Sequence, residues 1–257
     1  MSEQDDSVER PAQKPISQFE KAAGTFYKPS RVFNSITTAG VKFLDWFAPL
    51  VLVLLVAGVS SYVQLNTPTL RAQIVQQRED AIEKAESKGE ITTQQADEER
   101  QMIADNLTSA SAFAVVLRIM TVTVVLLIEF FLMSLVWFLV GRFALNSDFD
   151  YAKGLALTGM SYWITGVGLI FAIVIAVLSS RLDGGAHLGM LIPMNSKNLA
   201  YSILSRLNLF TIWSLIVISI GIGTLSGKKK LTAAFWVFGI WFVWEAVSIF
   251  FEHAIFS

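Results

Sequence analysis

The sequence predicts an all-α polytopic membrane protein: five transmembrane helices, N-terminus inside and C-terminus outside, with a helical hairpin on the external side. Three observations predict it. Hydrophobic residues make up 53% of the chain and charged residues only 16%, against about 25% charged in an ordinary soluble domain. The mean hydropathy is +0.53. Five stretches are apolar over the roughly 20 residues that cross about 30 Å of hydrocarbon. Runs such as LIFAIVIAVL and LIVISIGIGTL lack the polar face a soluble helix keeps toward water.

The first 28 residues are polar and mixed in charge, without an apolar core. No signal peptide is expected, and insertion should use the internal segments. Residues 1–44 read as a cytoplasmic segment carrying one amphipathic helix over 19–44. Pro29-Ser30 opens a helix, and Phe26, Val32, Phe33 and Ile36 interleave with Lys28, Arg31 and Lys42. Such a helix lies on an anionic inner leaflet or packs as a connector on the bundle.

The transmembrane domain is expected over 45–256, with spans at about 46–64, 111–140, 155–178, 207–225 and 231–251. The insertion 65–110 is rich in good helix formers. KGE at 88–90 breaks it, and Thr92 or Thr93 can cap a restart. Leu70, Ile74, Ile82 and Ala85 form one stripe; Ala96, Ile103, Leu107 and Ala110 form another. Two antiparallel helices would pair them and project about 30 Å from the membrane. Between the third and fourth spans, RLDGGAHLGMLIPMNSKNLAYSILSRLN is too polar to span and too apolar to be free in water, so an interfacial or re-entrant segment is expected.

Orientation follows from the short loops. Lys228, Lys229 and Lys230 fill the link between spans four and five, Arg142 and Lys153 flank the link between two and three, and Lys28, Arg31 and Lys42 precede span one. The five basic residues of the long insertion are accompanied by nine acids and do not oppose this.

Three ionisable residues fall inside or at the edge of spans: Arg118, Glu129 and Glu245. A central charge costs about 2.5–3.5 kcal/mol on insertion scales, which the surrounding apolar residues offset at roughly 0.3–0.6 kcal/mol each. Glu129 and Glu245 lie about 16 and 21 Å from the cytoplasmic ends, at about 1.5 Å per residue, and would meet if spans two and five touch. Arg118 could snorkel outward or reach Glu245. The acids read as polar contacts between helices, as a proton or cation pathway, or as a contact with a partner protein. Gly168, Ala172 and Ala176 in span three, and Ser219 and Gly223 in span four, have the small-residue spacing that lets helices approach in lipid.

Little points to catalysis. The chain has no cysteine, and its two histidines, His187 and His253, have no zinc-ligand spacing around them. No nucleophile elbow, phosphate loop or dinucleotide fingerprint appears. No catalytic, cofactor-binding or metal-ligating residue is expected, and a net charge of −1 argues against nucleic acid.

LNLFTIWSLIVISIGIGTLSGKKKLTAAF (207–235), with Phe210 and Trp213 opening an apolar span that ends in a basic turn, resembles the late signature of bacterial Yip1-domain membrane proteins. FYKPSRVFNSI (26–36) resembles that family's entry segment, and GRFALNSDFDYAKGLALTGMSYWITGVGLIF (141–171) is similar to its central region. The likeness covers most of the chain. It implies a non-enzymatic polytopic protein. The eukaryotic relatives serve secretory membranes and small GTPases, but their acidic-Gly-Pro and Tyr-Gly motifs are absent here, so that role does not carry over. The charged insertion 65–110 is an elaboration on the family pattern.

Together these readings predict an accessory or organising subunit of the bacterial cytoplasmic membrane. Its expected partners are membrane lipid and other membrane or envelope proteins, engaged through 65–110, with a homo-oligomer as a further option. The alternative is a small transporter or channel using Glu129 and Glu245.

Overall fold

The computed structural model describes residues 16–106, 112–195 and 198–256, and every regular element among them is a helix. Helix α1 (Gln18–Tyr27) starts with a capping box in which the Ser17 hydroxyl accepts from the Glu20 amide and the Glu20 carboxylate accepts from the Ser17 amide. It ends at Lys28, whose backbone the following proline holds out of the helical region. Pro29 then opens α2 (Pro29–Ala39), which stops at Gly40 with φ +77°. The single helix expected over 19–44 is therefore two, broken by its own proline. Its apolar residues are spent on protein: Val32, Phe33 and Ile36 are buried in the main core against α9.

The five expected spans coincide with α3 (Leu44–Asn66), α6 (Ala112–Leu139), α7 (Tyr151–Ser179), α9 (Leu209–Leu225) and α10 (Lys230–Phe256). Four are long and apolar enough to cross a membrane; α9 has 17 residues. At the end of α6 a π-helical turn, Val140–Ala144, leads into the link to α7, which Asp150 caps by accepting from the Lys153 amide.

Helix α7 is the centre of the bundle, touching α1, α3, α6 and α9, while α10 packs on α9 and on the short α8 (Leu199–Arg206). Close approaches at α7 depend on glycine. A Cβ on Gly159 would lie 2.7 Å from the Asp45 carbonyl oxygen and 2.8 Å from Trp46 Cβ. A Cβ on Gly154 would strike the Ser134 carbonyl of α6, and one on Gly221 would meet Leu157 and Phe33. These contacts bring α3, α6 and α9 tightly around α7, the usual means of association where lipid removes the hydrophobic drive between helices.

The insertion forms the expected hairpin, α4 (Pro68–Ser87) and α5 (Thr93–Asn106). Only Thr67 separates α3 from α4, and Pro68 takes the first turn, where its missing N–H costs nothing. Gly89 turns the chain at φ +71°, and Thr92 caps α5 with Gln95, each amide bonded to the other's side chain. Ile74, Ile82, Ala96 and Ile103 close on one another with Leu65, and Leu70 is buried on α4. Leu107 and Ala110 of the second stripe lie outside the described residues.

The hairpin does not stand free of the bundle. Gln73 donates to the Ser180 carbonyl (2.7 Å) and accepts from the Leu182 amide (2.9 Å), and Val115 and Leu182 pack on the hairpin's apolar cluster. These bonds fix the base of the arm to the end of α7.

Candidate functional site

Five helices in series place all the basic links, together with α1 and α2, at one end of the bundle. The hairpin, the 180–208 segment and the end of α10 share the opposite end. Ionisable residues gather at both.

At the basic end one pair dominates. Lys21 on α1 donates to Asp45 at the head of α3 over 2.6 Å, with side chains 4% and 0% exposed. Asp45 also accepts from Gln18 Nε2 (2.8 Å) and the Lys42 amide (2.9 Å), so its charge is fully surrounded by donors. Lys230 extends the same end by donating to Ser30 Oγ at 2.8 Å, which ties α10 to α2.

At the hairpin end the segment after α7 is a knot rather than a re-entrant span. Ser180 takes a left-handed turn (φ +54°), and Arg181 then forks onto Asp183 with bonds of 3.0 and 2.7 Å. Arg181 also donates to the Met190 and Ile192 carbonyls, pinning the 3-10 turn Leu188–Leu191. Tyr201 of α8 donates to Asp183 at 2.6 Å. Burial alone would raise Asp183, but the bonds from Arg181 and Tyr201 hold its carboxyl below the usual carboxylate range. Tyr201 is pushed up to about 12, by burial first and then by its bond to Asp183.

Arg206 closes the cluster. It donates to Glu245 (3.2 Å) and Glu252 (3.1 Å) on α10. Ser202 donates to Glu252 at 3.4 Å and meets His253 Nε2 at 3.3 Å. Glu252 reaches the serine rather than the imidazole, so the three do not form the aligned relay of a nucleophilic site.

The expected intramembrane residues are thus dispersed. Arg118 does not reach Glu245; it donates to Gln64 of α3 at 2.9 Å, while Arg206 takes Glu245. Helix α6 packs on α3 and α7, and α10 on α9 and α8, so spans two and five do not build a site for both acids. Glu129 is on the exposed outer face of α6, beside the exposed Ile128 and Leu132. Among the described residues it has no hydrogen-bond or ion-pair partner, and it lies near enough to the buried Tyr162 of α7 to act on it electrostatically.

The small residues separate as well. Gly168 meets Phe210 of α9, where a Cβ would lie 2.9 Å from the ring, and Gly223 meets Lys230 at the turn into α10. Ala176 is buried against Gly184, Ser219 is buried with its hydroxyl on the Leu215 carbonyl, and Ala172 is half-buried. The stripes on α7 and α9 do not face each other: Gly168 is level with Phe210 at the start of α9, whereas Gly223 lies at its other end.

A cleft of about 710 Å³ separates the hairpin from the first turns of α6. Arg78, Glu99 and Arg118 line it, with Ile82, Met102, Ile103, Leu117 and Val122 forming much of its apolar wall. Nothing in the sequence marked this cleft, because its walls come from α4, α5 and α6, whose packing no local signal gives.

A family model described as Yip1 domain matches residues 23–251. No curated protein and no solved structure matches the chain.

Proposed function

The chain belongs to the Yip1 family, and from that premise we propose that it is a non-catalytic accessory or organising subunit, held in a bacterial cytoplasmic membrane with its basic end inside. Its multi-pass character follows from the family and from its apolar helices. The observation that carries the adaptor reading is Glu129. An exposed carboxyl in the middle of a lipid-facing helix costs about 2.5–3.5 kcal/mol, and a polar group on a neighbouring membrane protein relieves that cost. The hairpin supplies a second surface. Its apolar stripes close inward, leaving Glu79, Asp80, Glu83 and Glu98 exposed to a partner outside the lipid.

The transporter reading has no comparable support. Glu245 is occupied by Arg206, and Glu129 lies on α6, which packs on α3 and α7 while α10 packs on α9 and α8. The test is mild extraction from the native membrane, with mass spectrometry of stoichiometric co-purifying proteins. The expected result is a partner retained by Glu129→Gln, which keeps hydrogen-bonding capacity, and lost from Glu129→Leu or after removal of 68–106. Recovery of the protein alone, or only as a homo-oligomer, would overturn the adaptor reading.

A further inference from the structure

The cleft under the hairpin combines features that its apolar walls alone would not require. Two guanidinium groups line it: Arg118 from α6 and Arg78 from α4, close enough for each to repel the other. Arg118 spends one nitrogen on Gln64, but its Nε is buried with no partner. Arg78 is exposed and has no ion-pair partner among the described residues. Two like charges brought together by folding, with a buried N–H unsatisfied, are costly unless an anion lies between them.

The rest of the lining says what kind of anion. A volume of about 710 Å³ falls within the range of about 300–1,000 Å³ typical of sites for small ligands. Apart from the two arginines, Glu99 and Thr121, its lining side chains are apolar. Leu117, Arg118 and Val122 lie in the first three turns of α6, at the hairpin end of a helix long and apolar enough to cross a membrane. Val116, Leu117 and Met120 are exposed there and would face lipid. A ligand entering from the bilayer thus meets hydrocarbon-compatible walls first and the arginines at headgroup depth.

We propose that this cleft binds an anionic phospholipid. Its phosphate is held between the Arg78 and Arg118 guanidinium groups, and one acyl chain lies along Leu117, Val122 and Ile103. The lining charge favours a singly charged phosphodiester: two arginines against the single carboxylate of Glu99 leave +1. Arginine suits this role because its planar fork meets phosphate oxygens in pairs. The inference stands apart from the adaptor reading, since it needs no protein partner.

The full-length chain, purified in a maltoside detergent and stripped of lipid, is titrated with dioleoyl phosphatidylglycerol, dioleoyl phosphatidylcholine and inorganic phosphate. Thermal stability and native mass spectrometry provide the readouts. Phosphatidylglycerol is expected to raise the melting temperature and to remain bound in the gas phase. Phosphatidylcholine and inorganic phosphate are expected to do neither.

Arg78→Ala, an exposed change that leaves the bundle intact, and Arg118→Gln should each weaken phosphatidylglycerol binding about tenfold, the value of one charge-assisted contact. Equal responses to both lipids, or full binding by Arg78→Ala, would overturn the proposal in favour of a nonspecific lipid coat. An equal response to inorganic phosphate would overturn it in favour of a free-anion site.

Discussion

The two ends of the bundle hold their charges in opposite ways. At the basic end one ion pair, Lys21–Asp45, is withdrawn from water and surrounded by donors. At the hairpin end Arg206 shares itself between Glu245 and Glu252 at partly exposed positions, with Arg181, Asp183 and Tyr201 beside them. A buried pair is all or nothing: its members cannot be solvated separately, so removal of one strands the other. A shared, half-wet network degrades by steps and responds to salt and pH. The basic end is a fixed joint, and the hairpin end an adjustable one.

The sharpest way to break this contrast is Asp45→Ala, which leaves Lys21 charged and enclosed. A loss of about 3–5 kcal/mol is expected, read as unfolding of the detergent-purified protein, with little dependence on salt. The paired change Lys21→Met with Asp45→Leu should restore much of the loss. If Asp45→Ala costs no more than a surface substitution, the joint is not fixed.

Next is Gly159→Ala, which probes the same end without touching charge. The new methyl presses on the backbone of Asp45 and Trp46, and overpacking of this kind costs about 1–3 kcal/mol. Unchanged stability would mean that α3 can shift away from α7.

Arg206→Ala should cost about 1 kcal/mol or less, because the network is about one-third exposed at the arginine. The difference from wild type should shrink as salt is raised. A salt-independent loss as large as that of Asp45→Ala would erase the distinction between the ends.

The smallest effect is the pH response of the Arg181–Asp183–Tyr201 knot. Asp183 titrates below its ordinary value in the folded state, so its contribution is present above about pH 4 and is lost as pH falls through the lowered value. Tyr201 is raised to about 12, so its contribution is complete below about pH 10 and fades above that. Tyr201→Phe should remove the alkaline loss while keeping an acid one, visible as protease sensitivity of the 181–198 segment across a pH series.

The sequence made the helices legible because apolar length is a local property. It made the hairpin legible because KGE and Thr92 are local signals too. Pairings were a different matter. Glu245 stood out as an acid in an apolar run, but its partner Arg206 is 39 residues away in a segment with no periodicity to fix its geometry. Neither Lys21 nor Asp45 stands out in the sequence, and nothing local says that α1 folds back to reach the head of α3. Glycine spacing drew attention to Gly168, whereas some of the tightest approaches occur at Gly154 and Gly159, where the neighbouring backbone rather than the spacing decides. Glu129 stood open in the sequence between a contact among helices, a pathway and a contact with a partner protein, because its surroundings depend on how α6 packs on α3 and α7.

Helix α9 carries a consequence of its own. Its 17 residues rise about 25 Å, short of the roughly 30 Å of hydrocarbon beside it, whereas α7 with 29 residues rises about 43 Å. Lipids around one molecule therefore meet two thicknesses. A bilayer beside so short a helix accommodates it by thinning locally or by the flanking side chains reaching outward. Mismatch costs a fraction of a kcal/mol per ångström, enough to favour the thinner places in a membrane and to set the angle at which the whole bundle leans.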